Sequence, residues 1–239
     1  MNGLSVKGLS AWYGKGQALF DVDLEVKPSE VVGLIGRNGA GKSTTLRSIA
    51  RLHKNVRGSI ALDDKEFSQL APYEAARSGI SLVGETAPVF AKLSVEENLR
   101  LAQALGRRRH VEWHSLDDAW SWFPPLYEAR RRPAGVLSGG QRRMLALSLA
   151  FVSEPRLMLL DEPSGGLSDD VAETVFGVIE AVCGEGRTVL ISEQRPELLE
   201  RFVPRVYVLD EGVVVSQRLT AVGRARTERL KGEASDGSD

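Results

Sequence analysis

Two glycine-rich loops in the sequence could each bind phosphate. The first spans residues 36–43 and ends in Lys42 and Ser43. It matches the P-loop pattern, a glycine, four free positions and then Gly-Lys-Ser, which surrounds the phosphates of a nucleotide. The second, residues 137–141, reads Leu-Ser-Gly-Gly-Gln and has no lysine. One nucleotide does not need two such loops so far apart, so their co-occurrence is the most informative feature of the chain.

The elements predicted around the first loop are those that a phosphate site requires. Residues 31–35 are an apolar run typical of a buried parallel strand, and residues 42–52 have the pattern of a helix. A loop between such elements offers backbone N–H groups and the positive end of a helix dipole to an anion. We expect Lys42 to reach the β- and γ-phosphates and the Ser43 hydroxyl to bind Mg²⁺.

A second predicted strand supplies carboxylates. The apolar run 157–160 leads directly into Asp161 and Glu162. Open α/β sheets bind ligands at the carboxyl ends of their strands, so both side chains should lie at the edge that carries the first loop. We expect Asp161 to hold Mg²⁺, directly or through water, and Glu162 to orient or deprotonate the attacking water.

The loop at 137–141 is predicted to open a helix that runs from about residue 140 to 152. Ser138 precedes that helix, and Gly139 and Gly140 allow close backbone approach, so the loop is an anion site at a helix N-terminus. It can complete a phosphate cage but has no metal ligand of its own. It is therefore predicted to be half of a composite site.

Over residues 3–217 the sequence resembles the ATPase subunit of ATP-binding cassette (ABC) transporters. Residues 36–43 match the Walker A motif of that family, 157–162 its Walker B motif and 137–141 its signature motif. In the family, the signature loop of one subunit binds the γ-phosphate of ATP held by the Walker A loop of the other. The resemblance implies an ATP-hydrolysing enzyme that uses ATP and Mg²⁺, and it explains the two loops by dimerisation.

The resemblance also implies a fold and its organisation. We expect an α/β P-loop NTPase fold with an N-terminal antiparallel β subdomain and a helical subdomain. Residues 3–222 would form a single ABC ATPase domain, with 1–87 and 153–217 as its catalytic lobe and about 88–152 as the helical subdomain that carries the signature motif. Residues 223–239 are expected to be a flexible tail, since 232–239 are small and acidic.

Local patterns agree with that division. Residues 22, 24 and 26 are apolar and alternate with acidic ones, as in a half-buried antiparallel strand. Ser94 and Glu97 have the spacing of a capping box. We expect the helix after it to turn Val95, Leu99, Leu101 and Ala102 toward a core. Residues 205–210 and 213–217 have the pattern of a terminal hairpin.

Nucleotide contacts are carried over from the family motif by motif. Tyr13, between two predicted strands, would stack on adenine; from the residues alone, an ordinary turn tyrosine is an equal alternative. The phosphate contacts implied by the resemblance are Gly36, Arg37, Asn38, Gly39, Ala40, Gly41, Lys42, Ser43 and Thr44 in the first loop. In the second loop they are Ser138, Gly139, Gly140 and Gln141.

Two positions depart from the usual family pattern. Glu85 stands where the family has a glutamine that senses Mg²⁺, and Gln194 stands where it has a histidine that touches the γ-phosphate. Glu85 could bind Mg²⁺ directly, whereas its charge would repel a γ-phosphate until the metal is bound. Gln194 can donate a hydrogen bond to phosphate but cannot take up a proton. Catalysis should therefore depend more on Glu162.

Both substitutions, together with residues 95–99 and Phe123-Pro124, resemble the ATPases of branched-chain amino acid importers. In that branch two different ATPase subunits usually pair and work with two permeases at the cytoplasmic face of the membrane, and indirectly with an extracytoplasmic substrate-binding protein. The resemblance thus implies a second ATPase subunit for this chain, in a homodimer or a heterodimer. Importers of urea or short amides remain an alternative, as does a weakly hydrolysing regulatory subunit. Residues 84–88 depart from the branch, Leu149 replaces a common arginine, and Ser168 replaces the aspartate of the loop at 164–168.

Composition limits the other classes of function. A net charge of −1 over 239 residues gives no support for nucleic-acid binding. No run approaches the length of a membrane span, so contact with a membrane is expected through the permease partners. The single cysteine, Cys183, excludes a disulfide within the chain. We expect most arginines of the clusters at 107–109, 130–132 and 142–143 to form a solvated face, with a docking surface as the alternative.

Overall fold

A computed structural model describes residues 3–86, 88–107, 115–184 and 186–225. The strands are β1 (Leu4–Tyr13), β2 (Gly16–Val26), β3 (Val31–Ile35), β4 (Val56–Leu62), β5 (Lys65–Glu66), β6 (Ile80–Val83), β7 (Leu157–Asp161), β8 (Thr188–Glu193), β9 (Arg205–Asp210) and β10 (Val213–Leu219). The helices are α1 (Lys42–Ile49), α2 (Pro72–Arg77), α3 (Val95–Arg107), α4 (Leu116–Trp122), α5 (Pro124–Glu128), α6 (Gly139–Val152), α7 (Asp169–Gly184) and α8 (Pro196–Phe202).

The larger sheet carries the first phosphate loop at the end of a central strand. Its order is β10-β9-β3-β8-β7-β6, and all of its pairings are parallel except that of β9 with β10. Every residue of β3, β7 and β8 is buried, as expected for parallel strands covered on both faces. The carboxyl ends of these three strands therefore meet at one edge of the sheet.

A four-stranded antiparallel sheet, in the order β2-β1-β4-β5, packs on one face of the larger sheet. Val22, Leu24 and Val26 are buried, and the acidic residues between them are exposed, which confirms the predicted alternation. The sheet shares an apolar core with Leu34 of β3 and Leu159 of β7. The structure thus confirms the α/β fold with an N-terminal antiparallel sheet.

Helices α3 to α6 lie between β6 and β7 in the chain. The predicted capping box is present, since Glu97 N donates to Ser94 Oγ at 3.2 Å and Ser94 N donates to Glu97 Oε2 at 2.7 Å. Leu99 is buried in the core that also contains Leu145 of α6. Leu101, expected to face that core, is instead exposed, because it points toward a surface groove beside α6.

Other predicted boundaries differ by small amounts. Helix α1 ends at Ile49, not at residue 52, because Arg51 has a left-handed backbone with φ of 61°. The terminal hairpin is present as β9 and β10. Residues 221–225 form a helical turn in which Gly223 is buried, and the rest of the expected tail lies outside the described residues, as do Arg108 and Arg109. Among the described helices, none is both long enough and apolar enough to cross a bilayer.

Candidate functional site

The first phosphate loop folds tightly between β3 and α1. Gly41 has φ of 104°, which a side chain would strain, and a Cβ at Gly36 would lie 2.2 Å from the carbonyl oxygen of Leu209. The glycines are therefore required by the fold of the loop itself. Lys42 is only 4% exposed, and its Nζ donates to the carbonyl oxygens of Gly36 at 2.8 Å and Arg37 at 3.2 Å.

The end of β7 brings a carboxylate beside the serine of this loop. Ser43 Oγ donates to Asp161 Oδ1 at 3.0 Å, and Ser192 Oγ donates to the same oxygen at 2.5 Å. Within the described ranges, no group of three or more His, Cys, Asp and Glu side chains could hold a metal ion. A hydroxyl beside a carboxylate nevertheless fits Mg²⁺, which prefers oxygen ligands and keeps several waters or phosphate oxygens.

Glu162 and Gln194 contact one another at the same edge of the larger sheet, just after the ends of β7 and β8. Glu162 has a left-handed backbone with φ of 50°, unusual for a residue other than glycine, and its N–H donates to the Ser192 carbonyl at 2.9 Å. Gln194 Nε2 donates to Glu162 Oε1 at 2.6 Å. The glutamine therefore holds one carboxylate oxygen of Glu162, which leaves the other oxygen for a water molecule.

These side chains line one cleft of about 760 Å³, a volume that suits a small-molecule ligand. Its described lining residues are Tyr13, Gln17, Ala18, Phe20, Asn38, Gly39, Gly41, Lys42, Ser43, Thr44, Glu85, Glu162, Gln194 and Glu211. The fold thus brings the predicted tyrosine, the first loop, Glu85 and both candidate catalytic residues into one place. Residues 138–141 do not belong to this set.

Tyr13 stands at the open side of the cleft. It is 57% exposed, its hydroxyl lies 3.3 Å from Thr44 Oγ1, and its ring packs edge-on against His53 with centroids 4.6 Å apart. The hydroxyl and one edge of the ring are held, and the residue is largely exposed, so the ring can stack on a base. His53 Nε2 is in turn 3.0 Å from the Trp12 carbonyl oxygen, so the supporting ring is itself held.

Sequence reasoning missed four lining residues and the supporting histidine. Gln17, Ala18 and Phe20 follow the hairpin turn after β1, and Glu211 lies in the turn between β9 and β10. Phe20 carried a signal, because it is an aromatic residue at an outward position of an alternating strand. Glu211 had no such signal in the sequence, because only the order of the strands in the sheet brings its hairpin turn to the cleft.

The signature loop lies on the surface. Ser138 is the N-cap of α6: Gln141 N donates to Ser138 Oγ at 3.2 Å, and Ser138 N donates to Gln141 Oε1 at 3.2 Å. Ser138 and Gly139 are exposed, whereas Leu137 is buried. The loop is therefore a preformed and solvent-facing helix N-terminus, separate from the cleft of its own chain.

Two buried charges link the motif loops. Glu193 is 2% exposed and accepts from Ser164 N at 3.0 Å and Gln194 N at 3.2 Å. Arg143 is 5% exposed, which departs from the solvated face expected for most of the arginines. The sequence does not distinguish Arg143 from the arginine beside it in the same helix. It is buried because α6 packs against the loop that carries Glu85.

A family model described as ABC transporter matches residues 19–165. The chain belongs to this family. It is 40% identical over 212 residues to the high-affinity branched-chain amino acid transport ATP-binding protein BraG of Pseudomonas aeruginosa, covering 89% of this chain and 91% of that protein. It is 36% identical to the probable branched-chain amino acid transport ATP-binding protein LivF of Archaeoglobus fulgidus, over 86% of this chain and 87% of the relative.

Solved ABC structures have the same fold. An ATP-binding subunit of an ABC transporter matches with a TM-score of 0.79 and 28% identity, over 95% of this chain and 94% of that one. A dimeric bacterial ABC transporter cassette matches with a TM-score of 0.78 and 25% identity, over 90% and 98% of the two chains. The predicted identity is confirmed: this is a nucleotide-binding ABC ATPase subunit.

Proposed function

We propose that this ABC ATPase powers the import of branched-chain amino acids, working at the cytoplasmic face of the membrane with permease subunits and, indirectly, an extracytoplasmic substrate-binding protein. The similarity to BraG along nearly the whole length of both proteins carries the choice of substrate. The cleft that joins residues 38–44 to Glu162 and Gln194 supports hydrolysis as the source of power.

ATP would bind with adenine on Tyr13 and its phosphates along residues 36–44. The buried Lys42 supplies positive charge to the β- and γ-phosphates, and the backbone N–H groups at the start of α1 supply the rest. Ser43 and Asp161 would hold Mg²⁺, with Glu85 as a further ligand; the ion, when bound, neutralises charge on the phosphates. Together these groups would orient the γ-phosphate for attack by a water molecule.

Glu162 is the group proposed to orient and deprotonate that water. Its carboxylate is held by Gln194 through one oxygen, so the other oxygen can accept a proton from water. An amide cannot exchange a proton with its partner as imidazole can. Gln194 therefore serves as a positioning residue for Glu162, and its amide oxygen is left to accept a second hydrogen bond.

The loop at Ser138, Gly139, Gly140 and Gln141 would complete the site of a second ATPase subunit. Its exposure and its preformed cap support that role, because a partner's phosphate can reach it without rearrangement of the helix. Two ATPs would thus be enclosed by two subunits. Such an arrangement makes dimerisation part of the reaction.

We assign permease contact to the part of the chain from about residue 88 to 152, as distinct from the catalytic lobe at 1–87 and 153–217. Beside α3 and α6 there is an apolar groove where Phe90 is 59% exposed and where Leu101 and Leu105 also face solvent. Exposed apolar side chains around a groove are typical of a protein-binding surface. The groove adjoins β6, so a permease seated there would also lie close to Glu85.

Hydrolysis is tested by comparing the parent with Glu162→Gln in a vanadate-sensitive ATPase assay. The variant should lose hydrolysis by about 100-fold or more and still bind ATP. Glu128→Gln, an exposed position on α5, is the matched control and should retain full activity. A parent that binds ATP but has no more activity than Glu162→Gln would instead support a regulatory subunit.

Substrate class is tested in cells that lack this gene. Uptake of labelled leucine should fall and should return with the parent gene but not with Glu162→Gln. Urea uptake measured in the same strains separates the alternative importers. Normal leucine uptake together with loss of urea uptake would overturn the proposed substrate while leaving the ATPase in place.

A further inference from the structure

Arg143 joins the helix of the signature loop to the loop that carries Glu85. It lies in the second turn of α6 and is 5% exposed. Its Nη1 donates to the Gly84 carbonyl oxygen and its Nη2 to the Glu85 carbonyl oxygen, both at 2.8 Å. A guanidinium is a rigid planar fork, so a single side chain fixes both carbonyls relative to the helix.

The same side chain lies near four carboxylates, two of which, those of Glu85 and Glu162, line the cleft. Burial lowers the pKa of Arg143, and four carboxylates oppose that shift. They belong to Glu85, Glu193, Asp161 and Glu162. Arginine stays protonated under these conditions, so the guanidinium places a permanent positive charge between the signature helix and an acidic cluster.

Arg143 also lies against the loop at residues 164–168. A methyl group at Gly165 would be 3.4 Å from Arg143 Nη2 and 3.1 Å from the Glu162 carbonyl oxygen. Three loops therefore meet at one guanidinium: the Glu85 loop, the loop after Glu162 and, through α6, the signature loop. Glu85 in the first loop and Glu162 just before the second line this chain's own cleft, whereas the signature loop has no residue among the described lining of that cleft.

We infer that Arg143 is a positioning residue that couples the two half-sites of one subunit. A nucleotide bound beside Glu85 would shift the loop at Gly84 and Glu85, and the two hydrogen bonds from Arg143 would transmit that shift to α6 and so to Ser138, the residue proposed to face the partner's ATP. The inference rests on the proposed composite site. Two charged hydrogen bonds from one guanidinium hold the loop and the helix more rigidly than apolar packing would.

Arg143→Lys is the most direct test, because it retains the charge and loses the fork. Arg143→Gln removes the charge as well. Arg100→Gln, which breaks an exposed ion pair with Glu96 on α3, is the control for loss of an arginine elsewhere. Each is made alone and with Glu162→Gln, so that ATP binding and ATP-dependent dimerisation can be measured without turnover.

We expect the Arg143→Lys subunit to bind ATP with an affinity within about twofold of the parent. Its ATP-dependent dimerisation, measured by light scattering, should weaken about tenfold, and kcat should fall by a similar factor. Arg143→Gln should be affected at least as strongly and Arg100→Gln not at all. A purely structural role would lower ATP affinity and the melting temperature together and would leave no separation between binding and dimerisation.

Hydrogen exchange measures how firmly the loop at residues 84–86 is held, and this measurement does not depend on catalysis. The peptide spanning residues 80–86 should exchange faster in both Arg143 variants than in the parent, with or without ATP. Parent-like dimerisation and kcat in Arg143→Lys would overturn the inference and leave the proposed function standing. A parent that neither dimerises nor hydrolyses ATP would overturn the proposed function. If hydrogen exchange at residues 84–86 were also the same in the Arg143 variants as in the parent, the proposed role of Arg143 would be overturned too.

Discussion

The two loops proposed to bind phosphate differ in how the rest of the chain surrounds them. The loop at 36–43 follows a buried parallel strand, and its lysine is buried and donates to two backbone carbonyl oxygens of the same loop. The loop at 137–141 follows a short 3₁₀ turn on the surface, and Ser138 is exposed. Both open a helix, so both present N–H groups to an anion. They differ in what surrounds those groups.

The difference teaches which loop can act alone. Around the first loop the chain itself supplies a cation, a hydroxyl beside a carboxylate, and a glutamate held by a glutamine. Around the second loop it supplies the helix N-terminus, a capping box and Arg142, whose Nη2 donates to the Leu137 carbonyl oxygen at 3.3 Å, but no hydroxyl paired with a carboxylate among the described contacts of that loop. The first should therefore determine whether ATP binds, and the second whether bound ATP brings two subunits together.

The largest effect is expected at the first loop. Lys42→Ala removes the charge aimed at the phosphates, so ATP binding and hydrolysis should both fall by about 100-fold or more. The nearby exposed Lys54 offers a matched control, and Lys54→Ala should have parental activity. Calorimetric titration with ATP checks the binding. If Lys42→Ala bound ATP as tightly as the parent, the conclusion that the first loop determines ATP binding would be wrong.

The second loop should show the reverse pattern. Ser138→Ala and Ser138→Asn should each reduce hydrolysis about 30-fold at saturating ATP, because both remove the hydroxyl proposed to contact the partner's phosphate. Asparagine still caps a helix, so only Ser138→Ala should lose about 1 kcal/mol of unfolding free energy. Titration of the isolated subunit with ATP decides the matter: a weakened affinity in either variant would mean that the loop serves its own chain.

Within the first site, Gln194 should affect turnover more than binding. Removing the hydrogen bond to Glu162 frees the carboxylate to rotate, so Gln194→Ala should lower kcat about tenfold with little change in KM for ATP. Gln194→Glu places a second carboxylate against Glu162 and should be worse. Steady-state kinetics of the two variants provide the measurement. A larger rise in KM than fall in kcat would assign Gln194 to phosphate binding instead.

The smallest effect is expected at Glu85. Its carboxylate would repel the γ-phosphate until Mg²⁺ is bound, so affinity for ATP should depend on Mg²⁺ more steeply in the parent than in Glu85→Gln. We expect the ratio of KM at low and at saturating Mg²⁺ to be about threefold larger in the parent. Superimposable Mg²⁺ titrations of the two proteins would show that Glu85 takes no part in metal binding.

Short-range chemistry explains how much of this could be predicted from the sequence. Lys42, Ser43 and Asp161 were predicted to meet because a P-loop and the end of a buried strand have few ways to pack in an α/β sheet. Arg143 was grouped with solvated arginines, since its neighbours in the helix do not distinguish a buried face from an exposed one. The outward position of Leu101 was misjudged for the same reason.

By itself, the sequence determined the motifs, the strands and helices that hold them, and the family, because these depend on local pattern and on residue types that few other folds use together. Only the tertiary structure decided which side chains share the cleft. Gln194 and Glu162 lie far apart in the chain, as do Phe20 and Glu211, and their approach depends on which strands are neighbours in the sheets. The link through Arg143 likewise exists only because α6 packs against the Glu85 loop.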